Sequence, residues 1–401
     1  MKRMNKILSI FLALIMVVGI LPMAQVFAAD IVDSGICGDN LTWQLDSNGK
    51  LTISGSGPMD DYYGWGIYDN SPWTYSYRDG HNIYELEIKD GVSTIGDFAF
   101  FGLSSLREVV IADSVTSIGR EAFFCDNPSL TSIVFPKGLE VIKEYAFREN
   151  HFESIIFPEN VREIDPQAFG ESSIDSIAVD PNNSTYHSAG NCIIETATTT
   201  LVKGCNNSVI PNDGTVTSIG KCAFYWCENL VNANLPSGLK SIDDLAFYAC
   251  KKLTSINIPT TVTEIGKEAF TGCRSIKSLK IPAGVTKLSY RAFSYCDSLN
   301  SISFYDTVEL VESGAFLGDD NLRDVYYLHT ESNYGSPEKW EQLTVEDKDT
   351  DNKYLYYGNI HLCSHLCHSS NNFFRFIYRI VLLFWRLFNT NRYCSCGDAH
   401  Y

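Results

Sequence analysis

Residues 265–293 read IGKEAFTGCRSIKSLKIPAGVTKLSYRAF. The stretch holds one short phrase twice, Ala269-Phe270 and Ala292-Phe293, and between the copies an alternating apolar run, Ile276-x-x-Leu279-x-Ile281-Pro282. Alternation with a period of two is the mark of a short strand with one buried face. The proline after it lacks an N–H and ends the strand. The Ala-Phe phrase, flanked by polar residues, suits a short helical or irregular turn on the opposite side.

Working outward, I-G-x-x-A-F recurs at Ile118 to Phe123, Ile219 to Phe224 and Ile265 to Phe270, with looser copies ending at Phe100, Phe147, Phe169, Phe247, Phe293 and Phe316. Successive phenylalanines lie 23, 24, 22, 55, 23, 23, 23 and 23 residues apart. The strand phrase follows them, as in Leu130 to Pro136 and Leu253 to Pro259. A unit of this size cannot bury its own apolar face, whereas stacked units share a continuous one. The spacing therefore predicts a solenoid. The single gap of 55 residues marks an insertion, placed at 180–215, with Val179, Ile193-Ile194 and Leu201-Val202 as short strands joined by turns.

Through these motifs the chain resembles bacterial surface leucine-rich repeat proteins of the BspA-like (LRR5) type, over roughly residues 83–327. The resemblance implies an α/β repeat, a leucine-rich-repeat solenoid with short parallel strands. For function it implies binding or adhesion at a cell surface.

Around that core the chain divides further. Residues 1–29 have a basic start (Lys2, Arg3, Lys6), an apolar run from Ile7 to Leu21 and small residues at Ala28-Ala29. These are the parts of a secretory signal peptide, so the protein is expected to be secreted or extracellular and surface-attached. Residues 30–82 are expected to form an N-terminal β-rich cap. Leu41 to Leu45 and Lys50 to Ser54 alternate around the turn Asp46-Ser47-Asn48-Gly49 and predict a hairpin. Trp65, Trp73, Tyr75 and Tyr77 then either cover the open end of the stack or offer rings to a carbohydrate. Residues 328–360 read as a C-terminal cap or linker, and 361–401 as a separate tail.

The tail brackets an apolar run, Phe373 to Phe388, with Cys363 and Cys367 on one side and Cys394 and Cys396 on the other. As a helix the run spans roughly 24 Å, short of the ~30 Å of a bilayer core. Arg375, Arg379 and Arg386 fall on one stripe of an otherwise apolar cylinder that includes Trp385. Such an amphipathic helical tail suits a membrane interface, a partner or another copy of itself, or a simple cap. Cys363, Cys367, Cys394 and Cys396 are candidates for disulfides or for a zinc site, although C-x3-C with C-x-C departs from paired C-x2-C spacing.

Within the repeats Cys227, Cys250, Cys273 and Cys296 each sit three residues after the phenylalanine. They are expected to stack one coil apart, either as small buried hydrophobes or with some bridging. Cys192 and Cys205 flank part of the insertion and stand open to a disulfide.

The formal charge is −17, and the stretch from 30 to 360 carries −23 against +3 for residues 361–401. So acidic a body repels phosphate backbones, which disfavours nucleic acid as a partner. No G-x-S-x-G, H-E-x-x-H or phosphate-binding glycine loop is present, so no enzyme and no cofactor are expected. The outward positions of the predicted strands read Val110, Val134, Ile156 and Ala178, then Asn234, Asn257, Lys280, Ser303 and Tyr326. The first four make an apolar strip, and contiguous exposed apolar surface tends to mark a contact site. The strip, with Tyr326, is the candidate site for a host or bacterial surface protein or a glycan. The alternative is a structural envelope spacer held by its tail.

Overall fold

The structure, a computed structural model, describes residues 29–63, 71–74, 82–125, 129–328, 343–347, 352, 355 and 359–363. Each repeat contributes two short parallel strands. The first is the L-x-x-I-x-I segment: Glu85–Ile88, Glu108–Ile111, His151–Phe157 and Ser173–Val179, then Asn232–Ala233, Ser255–Ile256, Ser278–Lys280, Ser301–Tyr305 and Asp324–Leu328. Along Glu108–Ile111 exposed and buried residues alternate, as the apolar pattern requires. The second strand comes from the isoleucine of I-G. Ser218–Ile219, Ser241–Ile242 and Glu264–Ile265 pair in parallel, isoleucine beside isoleucine.

The Ala-Phe phrase makes a third side. The phenylalanine N–H donates to the carbonyl of the next coil's alanine, at 2.7 Å for Phe224 to Ala246 and for Phe247 to Ala269 and at 2.8 Å for Phe270 to Ala292, whereas the last, Phe316, donates to Asn352 Oδ1 at 3.1 Å. This corrects one expectation. Between residues 82 and 328 the described chain holds no α-helix, so the repeat is all β and turn and not α/β. A helix is excluded locally because two residues per arm take positive φ. Two before the phenylalanine stand Leu245 (59°), Glu268 (54°) and Arg291 (49°); two after it stand Ala249 (57°), Gly272 (74°) and Tyr295 (56°). The left-handed pair reverses the chain within one arm and returns it to the strands. The glycine of I-G has a separate reason: a Cβ on Gly266 would lie 2.4 Å from the backbone nitrogen of Asp244 in the preceding coil.

The phenylalanines stack in two columns. Phe123, Phe147 and Phe169 are spaced at 5.2 and 5.3 Å, and Phe224, Phe247, Phe270, Phe293 and Phe316 at 5.0 to 5.7 Å. The expected continuous spine is therefore divided, and the buried apolar residues fall into two clusters. The insertion divides them. Tyr186–Ala189 and Cys192–Glu195 form an antiparallel hairpin, and Thr200–Gly204 returns beside it to pair in parallel with Ser218–Ile219. Ile193 packs into the N-terminal cluster, whereas Cys192 and Ile194 pack into the C-terminal one. At the seam a Cβ on Gly204 would meet the Phe224 ring at 2.1 Å, so only glycine lets the backbone lie on that ring.

At the N-terminal end β1 (Ile31–Gly38), β2 (Leu41–Asp46) and β3 (Lys50–Gly55) form an antiparallel meander, and β3 pairs in parallel with Glu85–Ile88. The hairpin turn is held by Asp46, whose carboxylate accepts from the N–H groups of Asn48 and Lys50 at 2.9 Å. Trp73 lies against the first ring of the stack, 5.3 Å from Phe100, and donates its indole N–H to the carbonyl of Ala99 at 2.9 Å. It is fully buried, so it offers no face to a carbohydrate; Trp65, Tyr75 and Tyr77 lie outside the described residues. At the other end, Thr344–Val345 pairs with Leu310–Val311 and Asn359–Cys363 with Asp324–Leu328, so the stacking runs one coil past residue 327.

Candidate functional site

The first-strand face carries the expected strip. In Glu108–Ile111 the side chains of Val109 and Ile111 enter the core and Val110 points out, 49% exposed. Val134, one coil on, is 81% exposed and Ile156 62%. Ile156 is the register partner of Ala178, which is half-buried. The four expected neighbours thus occupy adjacent coils of one surface. Tyr326 does not join them: it is half-buried beside Ser303, with five other coils between it and Ala178, roughly 30 Å at strand spacing.

Beside the apolar row runs a row of serines. Ser154 pairs with Ser132 and with Ser176, and Ser278 with Ser301. The strip is bounded toward the N-terminus by Glu87, the register partner of Val110. Lys50 bonds its carboxylate at 2.8 Å and Lys89 holds the other oxygen. These hydrogen bonds keep the Glu87 carboxyl below its ordinary range. The charge there is already satisfied, which leaves the apolar side chains as the part of this surface lacking cover.

Val209 stands beside the strip on the serine row: its counterpart one repeat on, Asn232, is the register partner of Ser255, and its own N–H donates to the carbonyl of Gly190 at 2.7 Å. Val209 is 70% exposed and Pro211 half-buried. They lie one repeat before Asn232 and Asn234, and the coils are in register: Asn229 N–H donates to Asn206 Oδ1 at 3.2 Å, and the buried Ile210 precedes Ala233 by the same step. The signal was present in the sequence, since stepping back 23 residues from Asn232 lands on Val209. It was hidden because the insertion had broken the count.

The cysteine ladder is structural. Cys227, Cys250, Cys273 and Cys296 are free thiols and buried. Cys250 and Cys273 donate to the carbonyls of Phe224 and Phe247 at 3.2 Å, and Cys296 to that of Phe270 at 3.3 Å. Burial pushes the Cys227 thiol up to about 12 and raises the other three as well. A thiol that holds its proton is neither nucleophile nor metal ligand. Cys192 and Cys205 are also free and buried, and they belong to different apolar clusters on the two sides of the seam. No group of three or more His, Cys, Asp or Glu able to hold a metal is found among the described residues. Of the tail candidates, Cys363 ends the strand Asn359–Cys363; Cys367, Cys394, Cys396, Arg375, Arg379, Arg386 and Trp385 lie outside the described residues, as do residues 1–28 of the expected signal peptide 1–29.

The fold has relatives among solved structures. A leucine-rich repeat protein from Eubacterium ventriosum superposes with a TM-score of 0.62 at 27% identity, covering 73% of this chain and 84% of the other. The pneumococcal vaccine antigen PcpA superposes with a TM-score of 0.57 at 16% identity, covering 83% of this chain and 99% of its own. A leucine rich cell surface protein from Faecalibacterium prausnitzii gives a TM-score of 0.48 at 22% identity, covering 78% of this chain and 98% of that one. None of the curated proteins matches the chain. The model of the BspA type leucine rich repeat region matches residues 74–191 and 201–323, in 6 copies, and the space between the two matches falls within the insertion. With that match over more than half of its length, and coils that repeat the motif in register, the chain belongs to the BspA-type leucine-rich repeat family.

Proposed function

We propose that this chain is a non-catalytic recognition protein displayed at or released from the cell surface, and that it binds a protein or glycan through the strip Val110, Val134, Ile156 and Ala178. One observation carries the reading: Val134 and Ile156, in adjacent coils, are exposed to 81% and 62% where the flanking Ile133, Phe135, Ile155 and Phe157 are buried. Covering side chains of this size contributes about 1–2 kcal/mol apiece, enough in sum for a specific contact once a polar rim fixes its orientation. The serine row and the exposed Glu108, Glu153 and Asp175 supply such a rim. The family match agrees with display outside the cell, where an adhesin acts.

The test is an array of host-cell proteins and glycans probed with the full chain. Val134→Lys and Ile156→Lys, which face solvent and leave the core untouched, should abolish the captured signal with unchanged circular dichroism. Binding that survives both substitutions would remove this surface from consideration.

A further inference from the structure

We propose that the C-terminal half of the first-strand face, around Lys277 and Lys280, binds an acidic glycan of low charge density, a polysaccharide whose charge is the carboxylate of uronic acids. This face begins two coils beyond Ala178 and is separate from the apolar strip. The segments 230–234, 253–257, 276–280 and 299–303 read LVNAN, LTSIN, IKSLK and LNSIS. In a body of strongly negative charge they hold two lysines and no acid. Asn232, Asn234, Asn257 and Asn300 are exposed, as are Lys277 and Lys280.

These side chains do nothing for the fold. Asparagine suits strands poorly, and where the N-terminal coils carry Val110, Val134 and Ile156 these coils carry Asn234 and Asn257. Elsewhere asparagines tie one coil to the one before. Asn160 donates its amide to the carbonyl of Lys137 at 2.8 Å, Asn183 to that of Val161 at 2.8 Å and Asn321 to that of Asp297 at 2.6 Å. The side-chain amides of Asn232, Asn234, Asn257 and Asn300 make no hydrogen bond among the described residues. The lysines differ from others in the same way. Lys143 pairs with Asp97 and Lys287 with Glu312, both at 3.0 Å, whereas Lys277 and Lys280 have no ion pair among the described residues. Residues that break a local preference with no structural return concentrate at functional sites.

The chemistry of the set points to the ligand. An amide offers donors and an acceptor together, as a hydroxyl does, and sugar hydroxyls need both. A lysine ammonium is a compact point charge with three donors, suited to a carboxylate. Ser278 is the register partner of Ser301 and Lys280 of Ser303, so amides, hydroxyls and ammonium groups occupy adjacent coils. The four coils span roughly 14 Å at strand spacing, enough for a short run of sugars along the stack. Val231, 47% exposed, is the one exposed apolar side chain in these segments, and a protein partner would require a larger apolar centre. The acidic body repels a densely charged polyanion. A carboxylate spaced out among hydroxyls meets the lysines at contact distance, while acids farther than about 8 Å are screened at physiological salt.

The experiment measures binding of the full chain to three immobilised polymers by interferometry. Hyaluronan carries a carboxylate on alternate sugars, dextran carries hydroxyls without charge, and poly-L-glutamate carries charge without sugar. Expected is binding to hyaluronan alone, weakening as salt rises. Lys277→Gln with Lys280→Gln should weaken it about tenfold or more. Lys240→Gln with Lys267→Gln makes the same change of net charge at exposed lysines beside the second strands and should leave binding unchanged. Asn234→Val with Asn257→Val copies the residue found at Val110 and Val134, so the urea midpoint should not fall while binding weakens about tenfold. A chain that does not bind hyaluronan overturns the proposal, as does equal binding to dextran or poly-L-glutamate. Either pair of substitutions on this face binding as tightly as the Lys240 and Lys267 pair also overturns it. On the array of host proteins and glycans, signal from uronate glycans belongs to this face and all other signal to the strip, so either surface can fail without the other.

Discussion

Replacing Phe270 tests the stacking on which this fold stands. The ring is fully buried between Phe247 at 5.3 Å and Phe293 at 5.6 Å, nearly parallel to both. Phe270→Ala removes the side chain and leaves a cavity, a loss of about 3–5 kcal/mol. Phe270→Leu keeps most of the apolar volume and removes the ring pairs, each contributing about 0.5–1.5 kcal/mol, so the expected loss is about 1–3 kcal/mol. Phe224 is the internal control. It stacks on Phe247 at 5.0 Å and on its other side meets the backbone of Gly204 and not a ring. Phe224→Leu should therefore cost about half as much, through the loss of one ring pair. Urea unfolding followed by far-UV circular dichroism measures both, with a separate fit for each transition if the two core clusters unfold independently. Equal losses at the two positions, or less than about 0.5 kcal/mol for Phe270→Leu, would refute the argument that coils are tied together ring on ring.

Further outcomes follow from other buried groups. Asp319 stands where the cysteine ladder would place its next member, 23 residues after Cys296. Its Oδ1 accepts the Cys296 N–H at 2.7 Å, and its Oδ2 has no partner among the described residues. Burial raises its carboxyl well above the ordinary value of 3.8. The folded state therefore favours the protonated acid, and stability falls as pH rises from the unfolded carboxylate's value through the folded one. Asp319→Asn, which keeps the acceptor, should flatten that decline in urea midpoints measured from pH 4 to 8, a range chosen around the carboxylate value; an unchanged slope would contradict it. The thiols of Cys227, Cys250, Cys273 and Cys296 should resist a thiol reagent at pH 8, close to an ordinary thiol's value, until urea is added; mass spectrometry of the labelled peptides would locate any exception. Gly272 has φ 74° and nothing closer than 3.5 Å to a Cβ, so Gly272→Ala adds backbone strain without a clash. It should lower stability by about 1 kcal/mol, and a neutral or stabilising result would remove the left-handed arm from the account.

The repeat period, the buried phenylalanines and the outward strip were all legible in the sequence. Each depends on the burial of a side chain at a fixed place in a repeating unit, and a phrase copied nine times reports that place reliably. The strand from Glu108 to Ile111 shows its alternation in four residues, and Val110 followed from it without coordinates. The free thiols of the ladder were one of two readings, decided by carbonyls in the preceding coil that no local pattern displays.

What tertiary structure alone decided concerns contacts between coils. Ser241-Ile242 is too short to show a period, and it becomes a strand only because Ser218-Ile219 and Glu264-Ile265 lie on either side of it. The Ala-Phe arm could have been a helix by composition. It is instead a left-handed double turn, because the phenylalanine N–H, from Phe224 through Phe293, is taken by the neighbouring coil's alanine and is lost to a helix. The division of the core at Gly204, and the place of Val209 on the serine row, depend on how a 55-residue interval between phenylalanines folds back into a stack with a 23-residue step. Local chemistry sets which face of each coil is apolar; the backbone of the next coil determines the path that brings that face inward.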